Sequence, residues 1–197
     1  MKSRIETMKL LKEVILDENC ERMSKSIVTG YLGELITLNK LEEEEFKPEH
    51  FGKQFGFDIR IGNFKIDVKT STLKDDGFEC DSWGWALSRE KGGEEKEIKY
   101  DAAVCVALDE NLNNAGFYCI SSDNISKQND NEPNFDSKNS RFTNVLKRYQ
   151  KFPFPPPSTS KQKVIDAYNV SEQLIKDGKV IKIEPNGNLG ETIFEKL

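Results

Sequence analysis

The chain has no apolar run of the length a membrane-spanning helix needs, about 18 residues or more, so no such span is expected in its 197 residues. Its first residues, MKSRIETMKLLKEVILDE, lack the uninterrupted apolar segment of a secretory leader, and a cytoplasmic protein is expected. Cysteine is scarce: Cys20, Cys80, Cys105 and Cys119 form no CxxC motif, which argues against a zinc ribbon or a disulfide framework. Reduced, buried thiols are the expectation. Histidine occurs once, as His50 in KPEHFGK, and a lone loop histidine reads as incidental rather than catalytic. Positive charge is in deficit, with 29 Lys and Arg against 34 Asp and Glu and a net charge of −5. That excludes a protein whose whole surface coats nucleic acid. A local basic cleft stays open, because acids concentrate in LEEEE (41–45) and EEKE (94–97), which read as solvated faces or loops. There are no internal repeats.

What is present is a globular composition, 36% hydrophobic and 32% charged, long enough for one sizeable core. Ser3 and Glu6 make a capping box ahead of Ile5, Met8, Leu11 and Ile15, which predicts a first helix. SKSIVTGYLGELITLNKL (24–41) predicts a second, with Ile27, Val28, Tyr31, Leu32, Leu35, Leu38 and Leu41 on one side. Ser26, Thr29, Gly33, Thr37 and Lys40 fall on the other. Glu34 departs from that division: it lands between Leu41 and Ile27, in the margin of the apolar stripe and one turn from Gly30. A carboxylate there is partly desolvated unless something cationic meets it.

Further along, YDAAVCVAL (100–108) predicts a strand covered on both faces, and GFYCI (116–120) pairs with it after the turn-rich DENLNN. DSWGWALSRE (81–90) reads as a short strand or a site-flanking loop, with Trp83 and Trp85 alternating as packing residues. Residues 121–140 read as a loop, RFTNVLKRYQK (141–151) as a basic helix, and PFPPP (153–157) as an extended break. A helix near 160–176 and a strand at KVIKIEP (179–185) complete a mixed-sheet α/β or α+β domain.

FGFDIRIGNFKIDVKTS (55–71) carries the chemistry. Gly62-Asn63 is a favoured two-residue hairpin loop. Turning there pairs Ile61 with Phe64, Ile59 with Ile66 and Phe57 with Val68, giving one wholly apolar face. On the other face Arg60 meets Lys65, Asp58 meets Asp67, and Gly56 meets Lys69. Opposed carboxylates, with Cβ atoms roughly 5 Å apart, repel by about 3 kcal/mol at an effective dielectric near 20. A divalent cation reverses that sign. Neutralisation by Arg60, Lys65 and Lys69 on a solvated face is the competing explanation, and acid-x-lysine triplets elsewhere (45–47, 94–96, 97–99, 136–138, 177–179) show how little the triplet says alone.

An acid on a first helix (Glu34 in GYLGEL), an acid at a strand start (Asp58 in FGFD) and Asp67-Val68-Lys69 on the next strand resemble the PD-(D/E)xK nuclease superfamily, which includes many type II restriction endonucleases. The resemblance covers about residues 24–120 and rests on short motifs in their order, with Gly56-Phe57 standing where the motif's proline would be. It implies an α/β fold with a restriction-endonuclease-like core, a central mixed β-sheet flanked by helices, and Mg²⁺-dependent phosphodiester hydrolysis in which Mn²⁺ substitutes. Asp58 and Asp67 would ligate the metal with the Val68 carbonyl, and Lys69 would orient or help deprotonate the attacking water. Glu34 would support the metal shell or bind a second ion, directly or through water. The implied organisation is a nuclease core with N-terminal helices (1–151), a Pro-rich connector (152–157), and a C-terminal helix and strand packed on the core (158–197).

The partner is then DNA. Arg141, Lys147, Arg148 and Lys151 form the best basic cluster, either a solvated helix face or phosphate contacts that position a duplex. The Asn-, Ser-, Asp- and Gln-rich stretch 121–140 carries side chains able to read base edges. A restriction-type enzyme cutting both strands from so small a chain is expected to be a homodimer. The alternatives are a structure-selective or repair nuclease, such as a junction resolvase, and a non-catalytic nucleic-acid-binding module on a nuclease-like fold.

Overall fold

The computed structural model describes residues 3–51, 55–75, 81–87, 90–91, 94–95, 98–126, 141–145, 169 and 171–197. Helix α1 (Arg4–Leu16) starts at the expected capping box: Ser3 accepts from the Glu6 N–H, and Glu6 accepts from the Ser3 N–H. Helix α2 (Arg22–Glu43) follows, and Arg4 pairs with Glu42 to hold the two together. No described helix is long and apolar enough to cross a membrane.

The strands are β1 (Glu49–His50), β2 (Ile59–Ile61), β3 (Phe64–Thr72), β4 (Lys74–Asp75), β5 (Asp81–Ala86), β6 (Glu90–Lys91), β7 (Glu94–Glu95), β8 (Ala102–Leu108), β9 (Asn114–Ser121), β10 (Arg141–Val145) and β11 (Ile181–Ile183). Three further helices are α3 (Ser122–Ser126), α4 (171–176) and α5 (Leu189–Glu195). Six strands form one mixed sheet in the order β1-β2-β3-β8-β9-β11, in which β3 and β8 run parallel. Strand β8 is buried along its whole length, as a doubly covered strand should be. This is an α/β fold.

Each face of the sheet has its own core. On one, Leu32, Leu35, Leu38 and Leu41 of α2 and Leu189 and Ile193 of α5 cover Ile66, Val68, Val104 and Val106. On the other, Trp83, Trp85 and Leu87 cover Ala103, Cys105, Tyr118 and Ile120. The two indole N–H groups donate to carbonyls of β8, Trp83 to Leu108 at 2.8 Å and Trp85 to Val106 at 3.2 Å. Cys105 and Cys119 are fully buried on opposite faces, and burial pushes both thiols above their ordinary range.

Three expectations are corrected. RFTNV is strand β10, paired antiparallel with β5 with Phe142 in backbone register with Trp85 and Asn144 with Trp83, not the start of a helix. Aromatic and β-branched residues there find a partner strand, and pairing overrides helical reading. Residues 122–126 form α3 within the stretch read as loop, while 127–140 lie outside the described residues, as do Lys147, Arg148 and Lys151. In α2, Gly33 and Thr37 are buried rather than on a polar side, and Ile27 and Tyr31 of the apolar stripe are exposed. The small pair faces the sheet, and the amino-terminal turns of α2 leave theirs to water.

Candidate active site

The hairpin forms as the alternation predicts for three pairs, Ile61 with Phe64, Arg60 with Lys65 and Ile59 with Ile66. Gly62 takes φ +59 at the first turn position, the conformation that a two-residue hairpin loop with glycine first requires. Beyond Ile59 the expected register ends. The Asp58 N–H also goes to the Ile66 carbonyl, at 2.9 Å, so the strand slips by one residue and Asp58 does not pair with Asp67. A one-residue slip swaps faces. Phe57 accordingly leaves the α2 side and packs with Phe51, Phe55 and Lys65 instead of sitting opposite Val68.

The slip places the Asp58 side chain where a ladder carbonyl would be. Its Oδ2 accepts from the Val68 N–H at 2.8 Å. Amide and carbonyl of one strand residue point to the same edge, so the Val68 carbonyl also faces this edge, past the end of β2. Asp67 and Lys69 are in register with Ala103 and Cys105, which puts both on the tryptophan face of the sheet. Their side chains form an ion pair. Glu34 arrives from α2 on the other face.

All three acids are buried. The Asp58 carboxyl is pushed up to about 6, first by burial and then by Asp67 and Glu34, against the lowering effects of the Val68 N–H and Lys69. Asp67 also helps push the Tyr100 hydroxyl upward, after burial. The structure thus brings Glu34, Asp58, Asp67 and Lys69 into one electrostatic neighbourhood at the edge where β2 stops. Among the described residues, no three His, Cys, Asp or Glu side chains stand as a preformed ligand cluster. Arg141 lies on β10, and its cluster partners fall outside the described residues.

Glu34 is set by a close helix–strand contact. A Cβ at Gly33 would lie 1.8 Å from Thr70 Oγ1 and 2.9 Å from its Cβ, so only glycine permits this approach of α2 to β3. Gly33→Ala is expected to cost roughly 1–3 kcal/mol by overpacking, read as a lower denaturation midpoint, and to shift Glu34 away from the edge.

His50, read as incidental, is a partner of the site. Its Nε2 lies 2.6 Å from Glu34 Oε2, and its ring lies 5.8 Å from that of Tyr31. With Glu34 ionised, the proton of this bond belongs to Nε2. The sequence offered one trace of it: Glu34 in an apolar margin needed a partner, and β1 brings one by pairing His50 with Ile59.

No family model matches the sequence, and no curated protein matches it. Among solved structures the chain is similar to a bacterial homing endonuclease, I-Ssp6803I, with a TM-score of 0.42 and 14% identity over 75% of this chain and 97% of that one. At that level the likeness says nothing of the chemistry, which rests on the residues of the edge themselves.

Proposed function

We propose that this chain is a Mg²⁺-dependent DNA endonuclease of the PD-(D/E)xK kind, a restriction-type enzyme cutting duplex DNA as a homodimer. The observation that carries the reading is the burial of Glu34, Asp58 and Asp67 at one strand edge with Lys69 against them. Three acids and one ammonium leave an excess of negative charge that would repel a phosphate backbone. The available donors are carboxylate and carbonyl oxygens, which suit a hard cation such as Mg²⁺ or Mn²⁺ and not a thiophilic one. Asp58, Asp67 and the Val68 carbonyl would hold the ion, with Glu34 in support. When bound, it supplies Lewis-acid polarisation of a phosphoryl oxygen and lowers the pKa of a coordinated water.

The residues themselves do the rest. Asp58, tied to the Val68 N–H, keeps the strand edge open beyond β2. Lys69 orients the attacking water or helps deprotonate it, and its charge faces the negative charge that develops on phosphorus oxygens. His50 holds the Glu34 carboxylate in place. One such site cuts one strand, which is why two copies are proposed for a duplex cut.

Incubation with plasmid, single-stranded and branched DNA, with Mg²⁺ or with EDTA, followed by end mapping, tests this directly. Discrete fragments sharing one end sequence are expected with Mg²⁺ and none with EDTA. Cutting confined to branches would replace the restriction reading with a structure-selective one. Binding without cleavage under every divalent ion would leave a nucleic-acid-binding module.

A further inference from the structure

Three phenylalanines gather beside Asp58: Phe51, just after β1, and Phe55 and Phe57, just before the acid. Their ring centroids lie 5.1 to 6.3 Å apart. Phe51 is tied to the site through its N–H, which donates to the Asp58 carbonyl at 2.7 Å. Gly56, at φ +80 and packed against the Lys99 stem, turns the chain between Phe55 and Phe57. Core packing accounts for Phe57, which is 8% exposed, but not for Phe55, which is 47% exposed.

Cations border the same rings. The Arg60 guanidinium lies 4.7 Å from the centre of Phe51, and the Lys65 ammonium 5.6 Å from that of Phe57. Arg60 also pairs with Glu49, yet its buried Nε has no acceptor. An open aromatic ring backed by two others and bordered by guanidinium and ammonium matches a base with its flanking phosphates: the π-face stacks on the ring, and the anions meet the cations. Both faces of a base inside a duplex are already covered by neighbouring bases. Only a base outside the stack can lie on Phe55.

We infer that Phe55, supported by Phe51 and Phe57, is a stacking platform for an unpaired nucleobase, with Arg60 and Lys65 contacting its flanking phosphates. The base belongs to the strand whose neighbouring phosphate meets the acid edge. This placement rests on the nuclease reading; the platform itself does not.

The test is binding by fluorescence anisotropy in EDTA, where cleavage plays no part. The probes are a labelled single-stranded oligonucleotide, the same strand carrying abasic sites, and the fully paired duplex, with wild type, Phe55→Ala and Phe55→Trp. Phe55→Ala is expected to weaken single-strand binding about tenfold or more and to change duplex and abasic-strand binding far less, and Phe55→Trp to retain single-strand binding. Phe55 is largely exposed, so its removal should leave the thermal midpoint near that of wild type, which the same samples report. Equal single-strand affinity of wild type and Phe55→Ala would overturn the platform, as would no single-strand binding by wild type. Base-dependent binding by a protein that cuts nothing would leave the platform standing and remove the nuclease reading. Cleavage by a protein whose binding ignores Phe55 would do the reverse.

Discussion

Asp67→Ala and Lys69→Ala should each reduce Mg²⁺-dependent plasmid cleavage by roughly 10³-fold or more, the scale lost when a charged group facing the transition state is removed. The two positions are adjacent in function but not in risk. Asp67 is buried and paired with Lys69, so removing the lysine alone leaves a buried carboxylate without its cation. That costs about 1–3 kcal/mol of stability. Lys69→Met keeps the aliphatic stem, and Asp67→Asn keeps an acceptor, so the double variant Asp67→Asn/Lys69→Met separates lost chemistry from lost folding. A double variant with native circular dichroism and wild-type cleavage would remove both residues from the site.

Asp58→Asn should destroy cleavage and stabilise the metal-free protein at the same time. The raised carboxyl favours the protonated form in the fold. Its contribution is therefore fully present below the ordinary carboxylate range and is lost as pH rises through about 6. By pH 7.5 the ionised group costs on the order of 2–3 kcal/mol. Asparagine keeps an oxygen for the Val68 N–H and carries no charge. In EDTA at pH 7.5 its melting temperature should exceed wild type by roughly 4–12 °C, with the gap closing near pH 4. Added Mg²⁺ should raise the wild-type value and leave the variant unmoved. A variant that melts below wild type in EDTA would show that Asp58 is ionised there at no cost.

These two expectations lean on different parts of the sequence. The apolar alternation of IRIGNFKI fixes three rungs of the hairpin, because a wrong register would expose Ile59 and Ile66. AAVCVAL is legible as a buried strand for the same reason. The slip at Asp58 is not legible, since it is decided by hydrogen bonds at an edge that only the folded sheet creates. The expected pairing of the acids is not formed: Asp58 and Asp67 affect each other across the edge rather than across a rung. Burial of Gly33 and Thr37 escaped the helical periodicity because small residues mark close approach as readily as solvent. His50 was hidden because its partner is sixteen residues away on a helix that meets β1 only in three dimensions.

The indole hydrogen bonds to β8 also give the molecule an optical character. Both tryptophans of the sequence are nearly excluded from water and anchored to the backbone of the strand that runs beside β3. Neither indole belongs to the acid edge, and the aromatic platform beside Asp58 is built of phenylalanine. Indole emission from this protein therefore comes from the face of the sheet that also carries Asp67 and Lys69. It registers separation of β5 from β8 and passes over the phenylalanines unperturbed, an intrinsic gauge of whether the scaffold beside Asp67 and Lys69 is assembled.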